Sequence, residues 1–285
     1  MKVVRDIPNK LLPFLARLAE EPPFRIFGRA IVKRFAKSIR TKSRWDAVSR
    51  PHYLIGILTA ADQAIREGVS AISVIEFGVA GGNGLVALDR YAAAVERETA
   101  VRIAVYGFDT GEGIPQTSGD YRGHPDQWKP GDYTMNEQAL RQRLSDRATL
   151  VIGNVRQTVP KFVSTAQYPP VGFIAVDVDL YSSAVDALQI FLLPGKRMLR
   201  RVPIYFDDID FFFNHKFAGE LLAIEEFNAA HPHIKIDRWR GIRKGKVFTE
   251  SPWLDKMFVA HDLDAISKVA LARPPARDLR LAAFK

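Results

Sequence analysis

Residues 73–91 read SVIEFGVAGGNGLVALDRY, a short apolar run followed by four glycines within seven positions. An apolar run of this length predicts a buried strand, and the apolar residues from Leu85 onward predict a helix. Glu76 lies near the end of the predicted strand. Glycines between a strand and a helix allow a tight turn and a close approach of the backbone to a ligand. The stretch therefore predicts a ligand site at the carboxyl end of a strand.

The same alternation of strand and helix continues along the chain. It predicts strands at 72–78, 101–108, 149–153, 171–178 and 202–207. It predicts helices at 52–67, 83–97, 136–145, 156–164, 182–193 and 217–230. The segments HIKIDRW and KMFVAHD follow near the end without a helix between them, which indicates an antiparallel pair. Together these patterns predict an α/β, Rossmann-like and mostly parallel sheet of seven strands that ends in an antiparallel pair.

The pattern also divides the chain into three parts. We predict a basic helical N-terminal extension over residues 1–50, a catalytic domain over 51–265 and a C-terminal tail over 266–285.

The N-terminal apolar run is short and lacks a convincing cleavage site, so no signal peptide is expected. No stretch approaches the roughly 18 apolar residues of a membrane-spanning helix.

Composition narrows the chemistry. The chain has 285 residues, of which 47% are hydrophobic, so it is long enough to bury a large core. It contains no cysteine, which excludes disulfides, thiolate metal ligands and a cysteine nucleophile. These features predict a cytoplasmic protein.

The net charge of +9 is concentrated at one end. Residues 1–45 hold twelve Lys and Arg against three Asp and Glu, whereas the rest of the chain holds 29 of each sign. Residues 24–45 place Phe24, Phe27, Ile31 and Phe35 at helical spacing among basic residues, which predicts a basic amphipathic helix. Three interpretations are open: packing on the domain or on a second subunit, peripheral membrane contact through residues 24–44, and binding of nucleic acid or another acidic partner. A homo-oligomer is a candidate state, and no nucleic acid is expected because the remaining chain is neutral.

Two ligand classes compete for the glycine loop. A dinucleotide site requires G-x-G-x-x-G/A, which Gly82, Gly84 and Ala87 nominally match. However, that match begins late after the strand, and a carboxylate at Glu76 would repel a pyrophosphate. A ligand that carries ammonium and sulfonium groups suits acidic residues better. A second acid, Asp109, ends the next predicted strand and is well placed to accept hydrogen bonds from ribose hydroxyls.

Glu76-Phe77-Gly78 followed by Gly82 resembles motif I of the class I S-adenosylmethionine-dependent methyltransferases. Ala80 stands where a middle glycine is common in that family. The resemblance implies the class I methyltransferase fold and S-adenosylmethionine as cofactor. It also implies that the cofactor-binding residues are Glu76, Gly78, Gly82 and Asp109.

A group of aspartates follows two later strands. Asp177 and Asp179 end one buried strand, and Asp207, Asp208 and Asp210 end the next. If the two strands are neighbours, about 4.8 Å apart, these carboxylates face one another and repel unless a cation lies among them. Hard oxygen ligands suit Mg²⁺ or another divalent cation such as Mn²⁺ or Ca²⁺. The alternative is that these aspartates cap the helices that follow them.

These aspartates, with GFDTGEGIP upstream, resemble the macrocin O-methyltransferase (TylF-like) family over roughly residues 70–210. That family methylates sugar hydroxyls of natural products with the help of a metal. The resemblance implies Asp177, Asp207 and Asp208 as metal ligands and Asp179 as general base. The segment LLPGKRMLRRVPIYFDD lacks the family's usual P-G-G turn, and residues beyond 210 do not match the macrolide enzymes, so the acceptor does not carry over.

Two further features complete the predicted site. His215 follows the aspartates and is a candidate catalytic acid or base. The long polar loop 117–135 carries Tyr121, His124, Trp128 and Tyr133, which are candidates to shape a substrate pocket; an ordered surface loop is the alternative.

The leading expectation is a metal-assisted O-methyltransferase whose partner is a small hydroxylated substrate, with a sugar as one candidate. A second hypothesis is a metal-independent N- or O-methyltransferase whose acids attract a cationic acceptor. A third is a non-catalytic, membrane-associated or oligomeric protein that retains the fold.

Overall fold

The computed structural model describes residue 22 and residues 24–116, 119–165, 167–195, 197–211 and 213–269. Residues 1–21 and most of the predicted C-terminal tail (266–285) lie outside the described residues. The predictions made for these two ends of the chain therefore lie outside them too.

Seven strands form one mixed sheet in the order β3-β2-β1-β4-β5-β7-β6. The first five are parallel to one another, and β7 runs antiparallel to both β5 and β6. The sequence-based prediction of a mostly parallel sheet with an antiparallel final pair is confirmed. The strands are β1 (Ala71–Phe77), β2 (Arg102–Asp109), β3 (Ala148–Ile152), β4 (Val171–Val176), β5 (Arg201–Phe206), β6 (Ile234–Arg238) and β7 (Met257–Asp262).

Helices cover the sheet. The described helices are α1 (Phe24–Phe35), α2 (Ile39–Arg44), α3 (Pro51–Glu67), α4 (Asn83–Thr99), α5 (Glu137–Arg141), α6 (Val155–Thr165), α7 (Tyr181–Leu188), α8 (Gly219–Ala230) and α9 (Leu263–Ser267). Helices α3 and α4 pack on each other and on the central strands, while α6, α7 and α8 form a second packed series. Because the central strands are covered in this way, β4 is buried at every position, as its continuous apolar sequence requires. No described helix is long and apolar enough to cross a membrane.

Three predicted helices have different bounds from those expected. The helix expected at 136–145 ends at Arg141, and Ser145 beyond it instead donates two hydrogen bonds to the Asp89 carboxylate. The helix expected at 182–193 ends at Leu188 and continues as a 3₁₀ turn. The single helix expected over 24–45 is two helices, because Ser38 caps a new helix with its side chain.

The apolar stripe of the N-terminal helix is not packed on the domain. None of the residues of α1 is buried, and Phe27 and Phe35 are 67% and 70% exposed. Of the interpretation that this helix packs on the domain or on a second subunit with its basic face in water, packing of the stripe on the domain is not observed for α1, and packing on a second subunit stays a prediction. The helix contacts the domain through a basic edge instead, as described below.

A buried ion pair joins the start of the domain to the connection between β6 and β7. Lys246 Nζ lies 2.5 Å from Asp46 Oδ1, and the two side chains are 3% and 5% exposed. Asp46 also accepts hydrogen bonds from Ser251 Oγ at 3.0 Å and Trp253 Nε1 at 3.2 Å. Burial lowers the pKa of Lys246, and the hydrogen bond to Asp46 and its negative charge oppose this effect.

We expect Lys246→Ala to lower the free energy of unfolding by about 3–5 kcal/mol, because it leaves the Asp46 carboxylate buried without its cation. Chemical denaturation measures the loss. The Asp46→Ala/Lys246→Ala double variant should lose less than the sum of the two single losses. Arg240→Ala is the matched control, since its ion pair with Asp237 is largely exposed and should contribute little. Equal stability of the Lys246→Ala and Arg240→Ala proteins would contradict this role.

Candidate active site

A cavity of about 330 Å³ opens where the five parallel strands end. The charged residues of its described lining are all acidic: five are aspartates, and none is Lys, Arg or His. The aspartates are Asp109, Asp177, Asp179, Asp207 and Asp208. All five were predicted as site residues from the sequence, and the structure brings them to one cavity. A site with this lining favours a ligand that carries positive charge.

The close approach of β1 and β4 depends on Gly78. A Cβ at this position would lie 1.6 Å from the backbone oxygen of Asp177, and Gly78 has a φ of +82° that other residues rarely adopt. The Asp177 N–H donates to the Phe77 oxygen at 2.9 Å, which ties the ends of both strands together. Gly78 therefore places the glycine loop directly beside Asp177, and both residues line the cavity.

Asp109 organises the loop between β1 and α4. Its Oδ2 accepts hydrogen bonds from the N–H groups of Val79 and Ala80, both at 2.8 Å, and its Oδ1 accepts from Gly111 N–H at 2.7 Å. Sequence reasoning predicted a ligand contact for Asp109 but missed this second role. Each carboxylate oxygen has further acceptor capacity, so the loop contacts leave Asp109 able to bind a ligand hydroxyl in the cavity.

Glu76 lies behind the cavity and is 1% exposed. Tyr53 Oη donates to its Oε1 at 2.5 Å, whereas its Oε2 has no hydrogen-bond partner among the described residues. Burial raises the pKa of Glu76 to about 7. Gly84 is necessary here, because a Cβ at that position would lie 1.8 Å from Glu76 Oε1. The fold thus makes room at the start of α4 for a carboxylate that is costly to bury.

Arg50 is a charged residue of this region that sequence reasoning missed. It precedes α3 with a left-handed φ of 51°, and its guanidinium lies 5.3 Å from the centre of the Tyr53 ring. Its charge acts on Glu76, Asp177 and Asp207 and so partly offsets their repulsion. No local pattern marks an arginine that reaches the site from the turn before α3, which explains why it was not predicted.

Asp177, Asp207 and Asp208 form a carboxylate cluster at the ends of β4 and β5. Each offers one oxygen, and these oxygens lie within 4.8 Å of one another. Burial and the neighbouring Asp207 and Asp208 raise the pKa of Asp177 well above its ordinary value. Burial and Asp207 raise the pKa of Asp208 to about 6. Three carboxylates brought together in this way have the composition and spacing of a site for a hard divalent cation.

Neighbouring residues hold the cluster in place. Tyr205 donates its hydroxyl hydrogen bond to Asp207 Oδ1, and Lys256 Nζ donates to the Asp207 backbone oxygen at 2.6 Å. The fully buried Glu220 accepts from the Asp208 N–H at 3.0 Å with Oε2. Its Oε1 has no hydrogen-bond partner among the described residues. These supporting residues were also missed: Glu220 and Lys256 come from later segments of the chain, and Tyr205, two residues before Asp207, belongs to an apolar strand in which no local pattern marks its hydroxyl.

Asp179 faces the same cavity from a strained backbone position. Its φ is +60°, and its N–H donates to Asp208 Oδ2 at 3.1 Å. Burial and the nearby Asp208 raise the pKa of Asp179 to about 8. The residue at the N-cap of α7 is Leu180, which makes no side-chain cap, and α8 begins only at Gly219. The capping alternative for the aspartates is therefore not supported.

Three predicted site residues are not among the described residues that line the cavity: Glu76, which lies behind it, Gly82 and His215. Gly82 caps α4 with a φ of +81°, and a Cβ there would meet Leu140 Cδ1 at 2.3 Å, so packing explains this glycine. His215 is exposed, with its ring 5.2 Å from that of His124. Within the loop 117–135, Trp128 and Tyr133 line the cavity, whereas Tyr121 and His124 do not.

Further polar lining residues were not predicted. Thr110 follows β2, Asn154 follows β3 and Ser183 lies in the first turn of α7. Each follows the carboxyl end of a parallel strand, which is the signal that could have identified them.

The strand order and the antiparallel final pair are those of a Rossmann-like class I methyltransferase fold. A solved structure described as CalS11, a calicheamicin methyltransferase, shares this fold with a TM-score of 0.51 and 18% sequence identity, over 90% of this chain and 94% of that one. The O-methyltransferase NovP aligns with a TM-score of 0.44 and 20% identity, over 62% of this chain and 71% of that one. The O-methyltransferase TomG from Streptomyces achromogenes, in complex with SAM, aligns with a TM-score of 0.44 and 12% identity, over 83% of this chain and 94% of that one.

No protein-family model matches the chain, and no curated protein matches its sequence significantly. At these identities the structural similarity establishes the fold, and the chemistry has to be argued from the cavity.

Glu76 gives a prediction about stability. Its folded-state pKa of about 7 lies above the ordinary value of 4.5, so ionised Glu76 costs no stability below about pH 4.5, the cost grows between about pH 4.5 and 7, and it is fully present above pH 7. We therefore expect Glu76→Gln to be more stable than the wild type at pH 8, by up to about 3 kcal/mol, and to show no such gain at pH 4.5. Thermal and chemical unfolding at the two pH values measure the difference.

Asp89→Asn is the control for this prediction. Asp89 is also buried, but it accepts hydrogen bonds from Ser145 and pairs with Arg147 at 3.4 Å, so its replacement should destabilise the protein. A Glu76→Gln protein that is less stable than the wild type at pH 8 would show that the ionised carboxylate is satisfied in the fold.

Proposed function

We propose that this protein transfers a methyl group from S-adenosylmethionine to a hydroxyl of a small molecule, and that a divalent cation such as Mg²⁺ assists the transfer. The observation that carries the proposal is the cavity whose charged lining residues are five aspartates. Such a lining suits a sulfonium and an ammonium group and opposes the pyrophosphate of a dinucleotide.

The two ends of the cavity suit the two reactants. The donor occupies the end formed by Gly78 and Asp109, with its ribose hydroxyls on the Asp109 carboxylate. Glu76, with an unpartnered oxygen behind the loop, attracts the donor's positive charge. The acceptor occupies the end formed by the carboxylate cluster, below Trp128 and Tyr133. The class I fold supports this division, because ligands of open α/β sheets bind at the carboxyl ends of the strands.

The carboxylate cluster fits a divalent cation. Asp177, Asp207 and Asp208 supply three oxygens within 4.8 Å of one another, and hard oxygen ligands suit Mg²⁺, Mn²⁺ or Ca²⁺. A cation bound there would lower the pKa of an acceptor hydroxyl and would relieve the repulsion among the three carboxylates. Tyr205, Glu220 and the Asp179 N–H hold Asp207 and Asp208 in position.

The chain's own residues then align the reactants and accept the proton. The cavity walls place the acceptor oxygen in line with the methyl carbon and the sulfur. As the oxygen–carbon bond forms, the carbon–sulfur bond breaks and its electron pair stays on sulfur, which leaves neutral S-adenosylhomocysteine. Asp179 takes the hydroxyl proton, since its carboxylate faces the cavity beside the carboxylate cluster.

The acid-rich cavity also supports a second candidate, a metal-independent N- or O-methyltransferase. In that case a cationic acceptor, rather than a metal ion, would offset the charge of Asp177, Asp207 and Asp208. A sugar is one candidate acceptor of the leading proposal, and the acceptor class remains open within it.

Donor binding is tested first. Calorimetry should show that the full chain binds S-adenosylhomocysteine and does not bind NAD. Glu76→Gln should weaken this binding, because it removes a charge that attracts the donor. Wild-type protein that binds NAD and not S-adenosylhomocysteine would overturn the proposal.

The metal is tested with Asp207→Asn, which removes a charge and preserves shape. We expect it to lower Mg²⁺ or Mn²⁺ affinity by at least the 10- to 100-fold (about 1.4–2.7 kcal/mol) typical of a lost supporting residue, with much less effect on S-adenosylhomocysteine. Asp186→Asn, a half-buried aspartate of α7 that does not line the cavity, should change neither affinity. Full activity in excess chelator, together with an Asp207→Asn enzyme as fast as wild type, would favour the metal-independent candidate.

The general base is tested with Asp179→Asn. Metal and S-adenosylhomocysteine should still bind, while transfer of a labelled methyl group to hydroxylated acceptors falls by roughly 10²–10⁴-fold. Asp186→Asn is again the control. An Asp179→Asn enzyme with wild-type turnover would remove Asp179 from the mechanism.

A further inference from the structure

Helix α1 presents an apolar stripe to solvent. The stripe consists of Phe24, Phe27, Ile31 and Phe35, which are 49%, 67%, 59% and 70% exposed. Their spacing places them on one side of the helix. A contiguous row of large apolar side chains is unusual on a surface that faces only water, so the stripe marks an interaction site.

The contacts of α1 with the domain hold the stripe outward. Arg25 pairs with Glu250 at 3.0 Å, and the guanidinium groups of Arg25 and Arg29 lie 5.4 Å and 5.0 Å from the centre of the Phe248 ring. Residues 25 and 29 are roughly a third of a turn away from the stripe. The side of α1 that contacts the domain therefore carries arginines, and the apolar stripe on another side of the helix stays exposed.

The following helix strengthens this anchor. Arg40 of α2 pairs with Asp62 of α3 at 2.6 Å and with Glu98 of α4 at 2.8 Å. The Val247 N–H also donates to the Arg44 backbone oxygen at 3.1 Å. The segment 24–44 is thus attached to the domain at both of its helices while the stripe stays exposed.

The charges of this segment select among partners. Residues 24–44 contain eight Lys and Arg and no Asp or Glu. Acids of the domain pair with Arg25 and Arg40, but pairing of this segment with the same segment of a second copy would still bring Lys33, Arg34 and Lys37 beside their own copies without any acid of the segment to offset them. A nucleic acid would offer phosphates to Lys33 and Lys37 but no apolar surface for the phenylalanines.

An anionic lipid surface matches both features. Its headgroups carry the negative charge that the lysines and arginines require, and the boundary of its acyl region accepts the side chains of the stripe. We propose that α1 binds the protein peripherally to an anionic membrane surface, with the stripe of Phe24, Phe27, Ile31 and Phe35 inserted between the headgroups. The cytoplasmic leaflet is the anionic one in cells, which agrees with the predicted cytoplasmic location. This binding is independent of the proposed methyl transfer.

The experiment is flotation of the purified full chain with vesicles of phosphatidylcholine alone and of phosphatidylcholine with phosphatidylserine. We expect flotation with the mixed vesicles and little with the neutral ones. Phe27→Ser/Phe35→Ser keeps every charge and should weaken binding by at least about tenfold, because the inserted apolar surface is lost. Lys33→Glu/Lys37→Glu keeps the stripe and should weaken binding by at least about 25-fold, since each basic residue near an anionic surface contributes about fivefold.

Matched variants control for general effects of surface substitution. Ile65→Ser replaces another large apolar residue, 53% exposed on α3, and Arg97→Glu/Lys161→Glu reverses two exposed charges on α4 and α6. Both control proteins should float like the wild type. S-adenosylhomocysteine binding, measured in parallel, should be the same in all four variants.

Three results would overturn the proposal. One is a full chain that does not float with mixed vesicles, including the case in which it floats only after removal of residues 2–21, since the chain itself would then cover the stripe. Another is a change from dimer to monomer in light scattering on Phe27→Ser/Phe35→Ser without any vesicle binding, which would assign the stripe to a second copy. The third is binding to RNA or DNA that depends on Lys33 and Lys37 while neither vesicle type is bound.

Discussion

The contact between Gly78 and the backbone oxygen of Asp177 is the constraint on which the site depends. A single Cβ at Gly78 would lie 1.6 Å from that oxygen, so β1 and β4 could not approach as they do. Their approach places the glycine loop, which Asp109 orders through two backbone hydrogen bonds, beside the aspartates that follow β4 and β5. The glycine loop after β1 and the aspartates after β4 and β5 therefore line one cavity.

The electrostatics of that cavity oppose the stability of the fold. Burial raises the pKa of Glu76, and burial with neighbouring carboxylates raises the pKa values of Asp177, Asp179 and Asp208. A protein selected only for stability would replace such groups, whereas a site that binds cationic ligands requires them. The same acids therefore account both for the expected stability cost and for the proposed preference for a sulfonium donor and a divalent cation.

The N-terminal segment differs from the domain in where its apolar and charged residues lie. The domain buries its apolar residues and balances its charges, but α1 turns its phenylalanines outward and attaches through arginines. The buried pair of Asp46 and Lys246 sits just beyond this segment and fixes where it leaves the domain. The segment therefore holds an amphipathic surface in a defined orientation, which a freely mobile extension could not do.

Local patterns determined much of this protein. The apolar and alternating patterns identified all seven strands, because each strand is short and the central strands are buried. The strand ends identified the five aspartates that meet in the cavity. Other properties depended on tertiary packing. Position 82 requires glycine because a Cβ there would meet Leu140, and His215 lies outside the cavity. Arg50 and Glu220 reach the acids from other segments of the chain, and only the packing of β5 shows that the Tyr205 hydroxyl donates to Asp207. The helical periodicity of residues 24–35 predicted an apolar stripe but not its direction, because periodicity records which residues share a face, whereas the contacts of Arg25 and Arg29 with Phe248 decide where that face points.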